Sequence, residues 1–128
     1  MEFKIDTKEK FTVIEPLEPN ISANMAADLT SACVICLDKE VRNVILKLNK
    51  VEMIDMTICQ SVVELQQQFY DANASFVICG LQKNVLKVFE DEELDEMLNH
   101  TPTESEAWDI VQMEEIEREL LDGDDFGF

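Results

Sequence analysis

The feature that most constrains the fold is a short apolar segment followed by a long helical pattern. Residues 44–48, with the sequence VILKL, are typical of a buried strand. Four apolar residues then recur at steps of four, three and four, and they share one helix face: Ile58, Val62, Leu65 and Phe69. Thr57 stands at the start of this helix, where backbone N–H groups lack intrahelical partners and the helix dipole favours negative charge. A phosphate on Thr57 would be well accommodated there, so this threonine is the leading candidate for a switch residue.

Further strand and helix patterns surround this segment. Residues 3–5 and 11–13 alternate apolar and polar side chains around a polar turn, which predicts an antiparallel hairpin. A helix follows, with Ser22 as its N-cap. Its apolar face contains Met25, Leu29, Ala32, Cys33 and Cys36. Residues 75–79 form a second apolar strand, which Gly80 separates from another helix. The alternation of strands and helices implies right-handed crossovers and parallel strand pairing.

The end of the chain carries one more helix and an acidic segment. A capping box at residues 103–106 opens the helix, and its core pattern fades beyond Met113. We therefore expect a domain at residues 1–113 and an acidic tail at residues 114–128. The tail also contains apolar side chains, which either fray or dock on a neighbour: Leu120, Leu121, Phe126 and Phe128.

These patterns together predict a single α/β domain, which suits a chain of 128 residues. We expect a mixed sheet of four to five strands, with helices that cover chiefly one face. The parallel core of the sheet is predicted to comprise strands 11–15, 44–48 and 75–79.

The net charge of the chain limits the kinds of partner that it can bind. Its 28 acidic and 10 basic side chains give a formal net charge of −18. Nucleic-acid binding is excluded as a function, because it needs Lys and Arg to replace phosphate counterions. The acidity favours a basic protein partner or simply a solvated surface, and the second reading is the simpler one. The longest apolar run, residues 32–37, is far below the ~20 residues that span a bilayer, and no signal peptide is evident. We therefore expect a cytoplasmic protein without membrane insertion.

The sequence offers little support for a metal site, a cofactor or catalysis. Its four cysteines lie in apolar surroundings and are interpreted as reduced core residues: Cys33, Cys36, Cys59 and Cys79. The pair at 33 and 36 has zinc or redox spacing but lacks a second pair, and residues 122–125 lack the later Glu of a calcium loop. Neither a Gly-rich phosphate loop nor a G-x-S-x-G turn is present, so we expect no enzyme and no cofactor.

Five short segments have a familiar order along the chain. They are residues 21–23 (ISA), 44–48 (VILKL), 53–57 (MIDMT), 76–81 (FVICGL) and 103–108 (TESEAW). This succession resembles the STAS domain, the module of bacterial anti-sigma-factor antagonists that also occurs at the cytoplasmic end of sulfate transporters. The resemblance covers most of the chain, from residue 3 to residue 113.

The resemblance also implies a phosphorylation site. The family usually carries Asp-Ser-Ser-Gly or Asp-Ser-Thr-Gly at this strand-to-helix junction, and a partner kinase that is itself an anti-sigma factor phosphorylates the third position. Asp55 and Thr57 match the first and third positions, whereas Met56 replaces the usual Ser and Ile58 replaces the usual Gly. Ser22 stands where many members of the family have Asp.

The function implied by the resemblance is regulation of transcription by partner switching. The unmodified chain would bind an anti-sigma factor with serine/threonine kinase activity, and phosphate on Thr57 would release it. The chain would be the substrate of that kinase, and a phosphatase can be a further partner. The implied partner-binding residues are Ser22, Asp55, Met56, Thr57, Ile58 and Ser61.

Several alternatives remain open at this point. The domain could instead be a constitutive STAS adaptor without phosphorylation, as a subunit of a signalling scaffold or of a lipid-transport ATPase complex, with Met56 and Ile58 as an apolar docking point. It could also be a small-ligand sensor with a pocket near Ser22, Asp55 and Gly80.

The residues of the junction also have purely structural readings. Thr57 could open a capping box with Gln60, and Asp55 could cap the helix. Met53 is expected in the core and Met56 at the surface.

Overall fold

The computed structural model describes the backbone of residues 1–124 and the side chains of residues 1–121. Its strands are β1 (Phe3–Thr7), β2 (Thr12–Pro16), β3 (Asn20–Ile21), β4 (Val44–Lys47), β5 (Met53–Ile54), β6 (Phe76–Cys79) and β7 (His100–Thr101). Its α-helices are α1 (Ala26–Val34), α2 (Met56–Asp71), α3 (Lys83–Asp91) and α4 (Glu104–Asp124). One 3-10 turn precedes α1, a second follows it, and a third lies between α3 and β7.

The main sheet has five strands in the order β1-β2-β4-β6-β7. Strand β1 pairs antiparallel with β2, and the other pairs are parallel. The register places Ile45 of β4 opposite Val13 of β2 on one side and opposite Val77 of β6 on the other. The predicted mixed sheet with a parallel core is therefore confirmed.

A second, small sheet was not predicted. Strands β3 and β5 pair in parallel over two residues each, with Asn20 opposite Met53 and Ile21 opposite Ile54. Segments this short lack the apolar run or alternation by which a strand is recognised in a sequence. The small sheet draws the chain before α1 alongside the chain before α2.

Successive strand residues point to opposite faces of the sheet, and both faces are covered. Helices α1, α2 and α3 pack on the face that carries Ile14, Leu46 and Ile78. Helix α4 packs on the other face, where Ala107 and Val111 join β-strand residues in a second apolar cluster. Three of the four α-helices found in residues 1–124 thus share one face, as expected, and the last of them covers the other.

Helix α4 runs without a break past residue 113, so residues 114–124 extend it. On the buried side of this extension, Glu115 and Arg118 form hydrogen bonds to Asn43 and Ser75, which lie next to β4 and β6. Phe126 and Phe128 of the predicted tail lie outside the described residues. No helix among residues 1–124 is both long enough and apolar enough to cross a membrane.

All four cysteines are buried and free, which confirms their interpretation as core residues. Burial disfavours the thiolate form, so it raises the pKa of Cys59 to about 12 and that of Cys79 to about 11. The pKa values of Cys33 and Cys36 are also raised, chiefly by burial. At neutral pH the four side chains are neutral thiols that fill the core.

Candidate functional site

The strand-to-helix junction is organised by Asp55. This residue has an extended backbone conformation and is the N-cap of α2, where its Oδ1 accepts a hydrogen bond of 2.8 Å from the backbone N–H of Thr57. Its carbonyl accepts a second hydrogen bond of 2.9 Å, from the N–H of Ile58. The structural reading of Asp55 as a helix cap is therefore confirmed.

Thr57 is not a helix cap. It is the second residue of α2, and its own N–H is one of the donors that Asp55 satisfies. A cap must precede the helix with a non-helical backbone, so the proposed capping box from Thr57 to Gln60 is wrong. Thr57 is exposed, and its carbonyl accepts a hydrogen bond of 3.1 Å from the half-buried Ser61 hydroxyl.

Two methionines flank the cap at the surface. Met56 is 56% exposed, which confirms the expectation for it. Met53 is 46% exposed, so its predicted place in the core is wrong. The alternation along β5 explains the error, because Ile54 takes the inward position of this two-residue strand and turns Met53 outward.

Ile58 lies in the core rather than beside Met56 on the surface. Its side chain is 1% exposed and belongs to the same apolar cluster as Val62, Leu65 and Phe69 of α2. Helical periodicity carries position 58 to the inner face of α2. The side chain predicted to complete an apolar docking point is thus inaccessible to a partner.

The small sheet brings Ser22 to the same surface. The backbone N–H of Asp55 donates a hydrogen bond of 3.0 Å to the carbonyl of Ile21, so Ser22 follows directly beside the cap of α2. Ser22 is exposed, and its hydroxyl donates to the side chain of Asn24. Ser22 is the N-cap residue of the 3-10 turn that leads into α1, but its side chain makes no capping hydrogen bond, and the N-cap residue of α1 itself is Met25.

The site therefore groups five of the six predicted residues at one edge, with Ser61 half-buried and the other four exposed: Ser22, Asp55, Met56 and Thr57. The exposed helix start offers backbone donors, but the carboxylate of Asp55 already occupies the N–H of Thr57. A phosphate on Thr57 would add negative charge within two residues of this carboxylate. The structure therefore places one exposed hydroxyl directly beside the helix cap.

A ligand pocket at this edge is not favoured. Gly80 has a φ of +73°, and a side chain added there would lie 1.9 Å from Oδ1 of Asn49. Asn49 thus fills the space beside Gly80. A cavity of about 600 Å³ lies elsewhere, among polar side chains that include Arg42, Asn43 and Arg118.

The family of the chain follows from its sequence. The family model described as "STAS domain" matches residues 2–107, and the chain belongs to this family. No curated protein is significantly similar to the chain in sequence.

Solved structures of anti-sigma-factor antagonists share the fold. A candidate antagonist of Thermotoga maritima superposes with a TM-score of 0.75 at 20% identity, and the match covers 86% of this chain and 94% of that one. The antagonist SpoIIAA in its unphosphorylated form gives 0.69 at 16% identity, over 87% and 96% of the two chains. The Bacillus cell fate determinant SpoIIAA in the phosphorylated form gives 0.62 at 14% identity, over 86% and 99%. These similarities establish the α/β fold predicted from the sequence.

Proposed function

We propose that the chain is an anti-sigma-factor antagonist that binds an anti-sigma factor with serine/threonine kinase activity and is switched by phosphorylation at Thr57. The observation that carries the proposal is the exposed Thr57 in the first turn of α2, next to a cap that fixes its backbone. The STAS family and the antagonist fold support it. Anti-sigma-factor antagonists of the STAS family regulate transcription without catalysing a reaction. In the proposed switch the partner is the kinase and the chain is its substrate.

The residues of this edge, together with Met53, each have a part in the proposed contact. Met53 and Met56 supply flexible apolar area that adapts to a partner surface. Ser22 and Ser61 supply hydroxyl groups that can hydrogen-bond across the contact. Asp55 holds the start of α2 in place, so Thr57 is presented in one backbone conformation.

The switch acts through charge. Phosphorylation adds about −1.5 to −2 charges at Thr57. In the contact this charge loses its water and faces the carboxylate of Asp55, so the bound state is destabilised relative to the free one. The released kinase then recaptures its sigma factor, and a phosphatase restores the antagonist.

The proposal predicts that one threonine accepts the phosphate. A purified anti-sigma kinase, first isolated by capture on the immobilised chain, is incubated with the chain and labelled ATP. We expect stoichiometric labelling of the wild type, mapped to Thr57 by mass spectrometry, and its loss in Thr57→Ala. Ser105→Ala is the matched control, because Ser105 is likewise the exposed second residue of its helix but lies on α4, on the other face of the sheet, and this variant should be labelled like the wild type. Unchanged labelling of Thr57→Ala would remove Thr57 from the mechanism.

A second candidate function is supported by the exposed apolar pair Met53 and Met56. These side chains suit a constitutive adaptor that docks on a signalling scaffold or a lipid-transport ATPase without phosphate. The same capture experiment separates the two functions. An adaptor would retain an ATPase subunit or scaffold, would not be labelled by it, and would lose it in the double variant M53Q/M56Q.

A further inference from the structure

Helix α4 carries an apolar stripe on the side that faces away from the sheet. Met113 is 59% exposed, Ile116 55% and Leu120 64%. Their spacing of three and four residues aligns them along one side of the helix, and the adjacent Leu121 is 68% exposed. The opposite side of α4 is buried through Ala107 and Val111. We name the three residues Met113, Ile116 and Leu120 the α4 stripe.

The stripe is bordered by negative charge. Among residues 104–121 of α4, the exposed acidic side chains are Glu106, Asp109, Glu117 and Glu119. The only basic residue of the helix, Arg118, turns toward the sheet and donates a hydrogen bond of 3.2 Å to the hydroxyl of Ser75. Its charge is therefore directed away from the stripe, which leaves an apolar strip between acidic borders.

A contiguous row of exposed apolar side chains between polar borders is typical of a protein interaction site. We propose that the α4 stripe binds an amphipathic helix of another protein whose apolar face is flanked by Lys or Arg. Apolar side chains of the two helices pack against each other, and the basic flanks pair with Glu117 and Glu119.

Charge decides between the possible occupants. A second copy of the chain would bring its own acidic borders, at a net charge of −18, against those of the first. An anionic lipid surface would be repelled for the same reason, because amphipathic helices that lie on membranes carry basic polar faces. A basic helix alone gains from both the apolar and the charged parts of the surface.

This site is independent of the proposed switch. The α4 stripe lies beyond the sheet face opposite α2, since α2 packs in one apolar cluster and α4 in the other. Binding at α4 therefore leaves Thr57 accessible, and the chain can hold a basic partner and an anti-sigma factor at the same time.

The test uses a fluorescent synthetic helical peptide made of leucine and lysine, titrated with the full chain and followed by anisotropy. We expect the triple variant M113Q/I116Q/L120Q to bind this peptide at least about tenfold more weakly than the wild type does. Glutamine has a high helix propensity, so the substitutions preserve α4 while removing its apolar contacts. The matched control I35Q/M97Q, which removes exposed apolar side chains that belong to neither proposed site, should bind like the wild type. Circular dichroism verifies that each variant is folded.

A second pair of measurements tests the charged borders without altering the stripe. The variant E117K/E119K should bind the leucine–lysine peptide more weakly than the wild type does. A second peptide, with glutamate in place of lysine, should bind the wild type about tenfold more weakly than the leucine–lysine peptide does. Equal binding of the wild type and the triple variant would overturn the proposal, as would equal binding of the two peptides.

Two further outcomes would assign the stripe to a different occupant and also overturn the proposal. One is co-sedimentation with phosphatidylglycerol vesicles that the triple variant loses. The other is a dimer in analytical ultracentrifugation that the triple variant abolishes.

Discussion

Phe69→Ala is expected to lower the free energy of unfolding by about 3–5 kcal/mol. Phe69 is fully buried on the inner face of α2, and its ring centroid lies 5.1 Å from that of Phe76 in β6. Truncation removes this aromatic contact and leaves a cavity between α2 and the sheet, which a packed core fills only in part. Since α2 also presents Thr57, the site depends on this packing.

Urea unfolding followed by circular dichroism measures the loss directly. The matched control is Tyr70→Ala, which removes an aromatic side chain at the next position of α2, where the side chain is 73% exposed. This control should change the free energy of unfolding by about 0.5 kcal/mol or less. Equal effects of the two substitutions would contradict the observed orientation of α2.

The second large effect is expected from Asn43→Ala, which should lower the free energy of unfolding by about 2–4 kcal/mol. Asn43 is 7% exposed, and its Oδ1 accepts a hydrogen bond of 2.8 Å from the backbone N–H of Ser75. Its amide nitrogen donates to the carbonyl of Lys10 at 3.0 Å and to Glu115 at 2.6 Å. One side chain thus joins the segments before β2, β4 and β6 to helix α4.

The alanine variant leaves the buried N–H of Ser75 without this acceptor. It also removes the hydrogen bond from Asn43 to Glu115, which connects α4 to the sheet. Hydrogen exchange should therefore accelerate in the second half of α4 as well as in β6. Asn84→Ala, an exposed asparagine on α3, is the matched control and should have little effect. A loss for Asn43→Ala as small as that of the control would contradict a structural role for this hydrogen-bond network.

The sequence predicted the parts of the fold that repeat a simple pattern. The apolar runs at 44–48 and 75–79 became β4 and β6, and the four spaced apolar residues of α2 are all buried. The pattern in α4 faded beyond residue 113 because the outer half of that helix is tied to the sheet by polar bonds. Glu115 and Arg118 reach residues more than 40 positions away, which no local pattern encodes.

The candidate site was predictable in position but not in detail. The resemblance located Asp55 and Thr57, and the structure shows Asp55 as the cap and Thr57 exposed. The resemblance could not show that Met53 points outward, because that orientation is set by the pairing of β5 with β3. The burial of Ile58 follows from its helical spacing with Val62 and Leu65, although Ile58 stands where the family usually has glycine.

The most direct test of the central claim is the affinity of the purified chain for its anti-sigma kinase before and after phosphorylation. Isothermal titration with a non-hydrolysable nucleotide keeps each form unchanged during the measurement. The proposed switch predicts that phosphate on Thr57 weakens binding by about tenfold or more. Equal affinities of the two forms would contradict it.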